Sequence, residues 1–102
     1  MILHCVFCHF RDDISEADKT AALKALEAFS LTLDGVESFK FGPNKDFEKK
    51  SQDYDQGFVI GFANEDALHH YAEHPTHKKL GSKLAQLCQG GGDGIIVFDL
   101  DV

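Results

Sequence analysis

The stretch Ile2-Leu3-His4-Cys5-Val6-Phe7-Cys8-His9-Phe10 is an almost unbroken apolar run, rich in β-branched and aromatic residues. Such a run reads as a strand buried on both of its faces. Side chains alternate across a strand, so Ile2, His4, Val6, Cys8 and Phe10 share one face. Leu3, Cys5, Phe7 and His9 share the other. Both faces therefore need cover.

Working outward, Ser15 is a good N-cap for a helix with Glu16 and Asp18 in its first turn. Ala22, Leu26, Phe29 and Leu33 then recur at helical spacing and make one apolar stripe. The helix is expected to run from about residue 16 to 32 and to end at Asp34-Gly35. Val36 to Phe41 reads as a second strand, closed by Gly42-Pro43-Asn44. Residues 44–53 are polar and charged, and are expected to form an exposed, mobile connection.

Tyr54 to Ala63 reads as a third strand, with Gln56, Phe58, Ile60 and Phe62 on one face. Its other face carries Gly57, Val59 and Gly61, thin enough for another backbone or a partner to approach. Asn64 can cap a second helix whose apolar side is Ala67, Leu68 and Tyr71. His74-Pro75 breaks it, because the residue before proline disfavours helical backbone, and Pro75 can open a third helix. Leu80, Leu84 and Leu87 give that helix a narrow stripe. Gly90-Gly91-Gly92-Asp93-Gly94 is expected to be a flexible loop, and it lacks the Gly-Lys-Ser/Thr ending of a phosphate loop. Ile95 to Leu100 is the last strand.

The order β-α-β-β-α-α-β suits one ferredoxin-like α+β domain over residues 1–102, a four-stranded antiparallel sheet with helices on one face. The helices cover only one side of the sheet. The simplest cover for the other side is a second copy of the chain. A homodimer is therefore expected, burying Leu3, Cys5, Phe7, Gly57 and Val59.

Composition narrows the function classes. The chain of 102 residues is 43% hydrophobic, too apolar for a disordered segment. No apolar run approaches the length of a membrane-spanning helix. Seventeen acids against ten bases give a formal charge of −7, which repels phosphate backbones and anionic membranes. Lys78, Lys79 and Lys83 cluster, but as the solvated face of a helix. Neither nucleic acid nor membrane is an expected partner. The first residues lack a basic leader, and Arg11-Asp12-Asp13 soon follow, so a cytoplasmic protein is expected.

Cys5-Val6-Phe7-Cys8 matches the CxxC spacing. Redox pairs of this kind sit at helix starts, whereas residues three apart on a strand point to opposite faces. Two buried structural thiols are the expectation. His69, His70, His74 and His77 fall within nine positions, and His70 and His74 have the spacing of helical metal ligands. His74 lies at a helix break, however, and His69 and His70 diverge, so no specific metal site is expected.

His4 and His77 are the more informative pair. His4 interrupts an apolar strand face and needs a partner if buried. His77 falls in the first turn of the third helix, where the neutral imidazole is favoured. Two imidazoles beside an apolar pocket, with Tyr71 close by, can perform acid–base chemistry near neutral pH. The same residues also fit a structural account, with His4 a satisfied core histidine and His77 a capping residue.

His4, the segment Tyr54 to Phe62, Tyr71-Ala72-Glu73-His74-Pro75-Thr76-His77 and the closing Val97-Phe98-Asp99 together resemble the stress-responsive α/β-barrel domain family. That family belongs to the dimeric α/β-barrel superfamily, and the resemblance spans nearly the whole chain. It implies protomers that dimerise sheet to sheet into a barrel with the helices outside. A plant polyketide cyclase of the family works by aldol chemistry without a cofactor. Its acid–base histidine and partner tyrosine match His77 and Tyr71, and its strand histidine matches His4. Gln56 and Leu26 stand where that enzyme has histidine and tyrosine, which removes two polar groups from the pocket.

The expected site is thus His77, Tyr71 and His4, in a pocket lined by Leu26, Phe29, Gln56, Phe58 and Ile60. It would bind a small hydrophobic or aromatic molecule. No cofactor is expected, since no metal, flavin or nucleotide motif is present. Two alternatives stand beside acid–base catalysis: a non-enzymatic stress-stability protein and a cofactor-free monooxygenase.

Overall fold

The computed structural model describes residues 1–102. Its elements are β1 (Ile2–Cys8), α1 (Glu16–Ser30), β2 (Val36–Pro43), β3 (Gln56–Phe62), α2 (Glu65–Glu73), α3 (Pro75–Gln86), a 3-10 turn (Gly91–Gly94) and β4 (Ile95–Asp101). The sheet has the order β2-β3-β1-β4, and every neighbouring pair is antiparallel. This is the ferredoxin-like arrangement implied by the element order.

The register sorts the two faces. His4 lies opposite Ile60 on β3 and Asp99 on β4, and Val6 opposite Phe58 and Val97. Ile2, Val6, Cys8, Phe39, Phe58, Ile60 and Phe62 meet Leu23, Leu26, Tyr71 and Leu84 from the helices in one core. The other face carries Leu3, Cys5 and Phe7 in register with Gly61, Val59 and Gly57 and with Leu100, Phe98 and Ile96. No helix covers it, and Phe98 and Leu100 remain 54% and 50% exposed.

The helix boundaries have local causes. Ser15 Oγ accepts from Asp18 N–H at 3.1 Å, and Asn64 Oδ1 accepts from Ala67 N–H at 2.9 Å. His74 ends α2 and caps α3, its Nδ1 accepting from Thr76 N–H at 3.0 Å. The first helix stops at Ser30, earlier than its apolar stripe suggests. There Thr32 N–H and Leu33 N–H bond to the carbonyls of Phe29 and Ser30, three residues back, which tightens the chain out of α-helix.

The loops are mostly exposed, as expected, and carry local structure that their composition does not show. The connection 44–53 is held by its own hydrogen bonds. Asn44 Nδ2 donates to Ser51 Oγ at 2.9 Å and to Tyr54 O at 2.7 Å. Asp46 Oδ1 accepts from the N–H groups of Lys50 and Ser51 at 2.9 and 3.0 Å. Side-chain amides and carboxylates here replace the backbone partners that a polar composition conceals. The glycine-rich loop forms a 3-10 turn. A Cβ at Gly94 would stand 2.5 Å from Gln89 O and 3.0 Å from His9 O, so glycine is required there. The thin face of β3 is filled from within the chain: a Cβ at Gly57 would meet Phe7 Cδ1 at 2.6 Å, and one at Gly61 would meet Ser38 Oγ at 2.7 Å.

Beyond Cys8 the first strand leaves β4 and continues as a bridge between Phe10 and Cys88. All three cysteines are free thiols, with Cys5 near the open face and Cys8 in the core beside Cys88. Hydrogen bonding with Cys88, together with burial, pushes the Cys8 thiol far above its ordinary value. Such a thiol packs as a small apolar group and is a poor nucleophile.

Candidate functional site

Three polar rings meet between the sheet and the α2–α3 corner. Strand alternation aims His4 at the helices, and its side chain is 15% exposed. Tyr71, near the end of α2, is 1% exposed and packs against Phe62 and Phe29, ring centroids 5.2 and 6.2 Å away. The Pro75 break folds α3 back, so that His77 comes to 4.3 Å from Tyr71 between ring centroids. His4 stands 5.9 Å from Tyr71 on the same measure.

Hydrogen bonds fix both imidazoles. His77 Nδ1 lies 3.0 Å from the Ala72 carbonyl, which can only accept, so Nδ1 carries the proton and Nε2 keeps its lone pair. Burial lowers the His77 pKa below its ordinary value, and the neighbouring His4, His74 and Lys78 lower it further. The Ala72 contact opposes this in part. His4 Nδ1 lies 2.6 Å from Asp99 Oδ1, and against a carboxylate that nitrogen is the donor. Both rings therefore have Nε2 free of any hydrogen bond to the protein. Gly81, one turn along α3, has no side chain to crowd this position, and a Cβ there would lie 3.9 Å from His77 Nε2.

Burial pushes the Tyr71 phenol up to about 12, so its hydroxyl stays protonated at neutral pH and can only be a donor or a neutral acceptor. Ser30 lies near enough to the hydroxyl to offset part of the rise, yet Ser30 Oγ is buried without a partner in hydrogen-bond geometry.

The expected lining divides. Phe29 joins the cluster, stacked on Tyr71 and edge-on to His74 at 4.9 Å. Leu26, Phe58 and Ile60 are closed into the core at 1%, 4% and 0% exposure. Gln56 lies elsewhere. It pairs with Cys8, four residues along β1 from His4, or about 13 Å at ~3.3 Å per residue. Its Nε2 donates to Glu16 Oε2 at 3.2 Å, within a group where Lys19 also reaches Glu16 at 2.9 Å and Asp55 at 3.6 Å.

A concavity of about 580 Å³ lies on the open sheet face among Phe7, Lys40, Lys50, Tyr54, Val59 and Phe98. No group of three or more His, Cys, Asp or Glu side chains is arranged to hold a metal ion. His70 and His74 stand 6.2 Å apart between ring centroids.

Asp99 and the Ala72 carbonyl were absent from the sequence reading of the site. Asp99 was accessible to it: Ile95, Val97 and Asp99 alternate on one face, and antiparallel pairing of the first and last strands sets Asp99 against His4. The Ala72 contact depends on how sharply the chain turns at Pro75, which no spacing rule gives.

The molecule is thus a ferredoxin-like α+β protein with a His–Tyr–His cluster under the helix corner. The chain belongs to the stress responsive A/B barrel domain family, whose model matches residues 2–102. It is similar to a dimeric ferredoxin-like protein of unknown function from Jannaschia sp. CCS1, with 38% identity, a TM-score of 0.92 and coverage of 99% of this chain and 98% of that one. An Arabidopsis thaliana protein shares 20% identity at a TM-score of 0.88, over 100% and 95% of the two chains. A hydroxynitrile lyase from Passiflora edulis shares the fold at 11% identity and a TM-score of 0.84, over 99% and 92%. No curated protein sequence matches the chain. No helix is long and apolar enough to cross a membrane.

Proposed function

We propose that the protein is a homodimer, joined through its open sheet faces, whose protomers each bind a small hydrophobic or aromatic molecule beside His77. His77 Nε2 acts as the base that removes a proton next to a carbonyl. Tyr71 and His4 hold the oxygen on which charge develops, and Asp99 orients His4. The observation that carries this reading is the pair of imidazoles, each with Nδ1 engaged and Nε2 free, flanking one buried tyrosine. The uncovered apolar face and the dimeric relative of 38% identity support the dimer. The three unpaired thiols suit a reducing, cytoplasmic setting.

The test is proton exchange. Small aromatic ketones in deuterium oxide should take up deuterium beside the carbonyl faster with the protein than without it. The gain should vanish in His77→Ala. The same ketones should shift the imidazole resonances of His4 and His77. Neither effect appearing with any ketone of the panel would sink the enzymatic reading.

A second reading is a non-enzymatic stress-stability protein. The closure of Tyr71, Leu26 and Ile60 into the core favours it, as does a concavity of about 580 Å³ that lies on the opposite sheet face. Absent exchange together with unchanged imidazole resonances is the outcome this reading expects.

A further inference from the structure

Phe47 is 90% exposed at the tip of the β2–β3 connection. Single exposed apolar residues are ordinary on protein surfaces. Three features set this one apart. First, it is held in place. Phe47 and Glu48 are the central residues of a turn closed by Lys49 N–H to Asp46 O at 3.0 Å. Both flanks adopt left-handed backbone, Asp46 at φ 45° and Lys49 at φ 57°, which costs non-glycine residues energy. The Asp46 carboxylate and the Asn44 amide tie the turn down from below.

Second, the same connection walls the open-face concavity. Asn44, Lys50, Ser51 and Tyr54 line one side of it, and Phe7, Val59 and Phe98 of the sheet form its floor. The connection therefore rises on the face that the helices leave bare. Third, one complementary pair is on offer, Glu48 with Lys40, although the connection also carries Lys45, Lys49 and Lys50. Glu48 lies beside Phe47, while Lys40 and Lys50 edge the concavity.

A two-fold dimer uses the same patch on both copies, so a projecting side chain and a hollow on one face must answer each other. We propose that in the sheet-to-sheet dimer Phe47 of each protomer enters the open-face concavity of the other, with Glu48 against the partner's Lys40. This rests on the dimer reading given above and adds to it the residue that closes the interface. A turn already fixed in its bound shape loses little freedom on docking, and a seated aromatic is the kind of anchor that dominates an interface.

The chain has no tryptophan, so Phe47→Trp supplies a single probe. Its emission should shift to the blue as protein concentration rises through the dimer dissociation constant, measured in parallel by sedimentation equilibrium. Phe47→Ala should keep the far-ultraviolet circular dichroism of the wild type, since the ring is almost wholly in solvent within its own chain. It should raise the dissociation constant about 30-fold or more. Glu48→Lys should raise it roughly fivefold, and adding Lys40→Glu should recover most of that loss. A wild type that dimerises while Phe47→Ala keeps the same dissociation constant overturns this inference and leaves the dimer reading intact. So does indole emission that stays solvent-like in the Phe47→Trp dimer. A wild type that sediments as a monomer at high micromolar concentration overturns both.

Discussion

His77 donates its Nδ1 proton to the carbonyl of Ala72, five residues earlier, across the break made by Pro75. One contact thereby does two things. It ties the end of α2 to the first turn of α3, and it selects the tautomer that leaves Nε2 unprotonated beside Tyr71. The turn that builds the corner also prepares the base.

The burial of the His77 ring makes the fold sensitive to acid, and the Ala72 contact softens the effect only in part. Burial holds the folded-state His77 pKa below the unfolded value of about 6.5. The unfolded chain then binds the proton more readily, so stability contributed by neutral His77 is present above about pH 6.5 and is lost as the pH falls through the depressed folded value. Thermal midpoints measured from pH 8 to pH 5 should fall more steeply in the wild type than in His77→Ala. Parallel curves would show that His77 titrates alike in both states.

Gly81→Ala should separate stability from binding. A Cβ at Gly81 makes ordinary contact with His77 Nε2 at 3.9 Å, so the fold accepts it. Alanine in place of a helical glycine should stabilise the protein by about 0.5–1 kcal/mol. The added methyl occupies space beside the free nitrogen, so ketone binding should weaken. Denaturant titration and ligand-induced imidazole shifts read the two effects. A variant that is more stable and binds equally well would place the ligand on another side of the ring.

Ser30 offers a simpler trial. Its Oγ is buried without a hydrogen-bond partner, and a buried polar group in that state is costly. Ser30→Ala should leave stability unchanged or raise it by up to about 1 kcal/mol. A larger loss in urea unfolding would mean that the hydroxyl is bonded in solution, with Tyr71 as its partner.

Val59→Asp places a charge at the centre of the open face, opposite Cys5 on β1 and Lys40 on β2. The side chain points away from the helix-side core, so the protomer should fold. Sedimentation should show monomers or aggregates in place of dimers. A variant that dimerises as tightly as the wild type would move the interface to another surface.

How much of this was legible in the sequence follows from the kind of interaction involved. The alternation in Ile2–Phe10 and Gln56–Phe62 fixed which side chains face the helices, because a strand repeats every two residues whatever surrounds it. Ser15, Asn64 and Pro75 announced helix starts by chemistry that is local to one turn. The connection 44–53 is exposed, as its polar composition suggests, but composition does not show the hydrogen bonds its side chains make to one another and to the local backbone. Alternation places Gln56 on the helix-facing side, where it is buried opposite Cys8, but alternation alone does not separate it from His4 along the strand. The residues themselves single out His4, His77 and Tyr71, the family resemblance adds their acid–base role, and the 4.3 Å approach of His77 to Tyr71 depends on one proline-set angle.

β4 supplies the carboxylate that aligns His4, a partner 95 residues away along the chain. β1 is a central strand, and its neighbours on both sides, β3 and β4, follow much later in the sequence. Folding must therefore close very long loops before the sheet is whole, which slows folding relative to a fold of local contacts. A nascent chain stalled before Ile95 would expose one edge of its most apolar strand and leave His4 swivelling freely. The site is therefore complete only once residues 95–101 have joined the sheet, so its assembly waits on the strand farthest in sequence from His4.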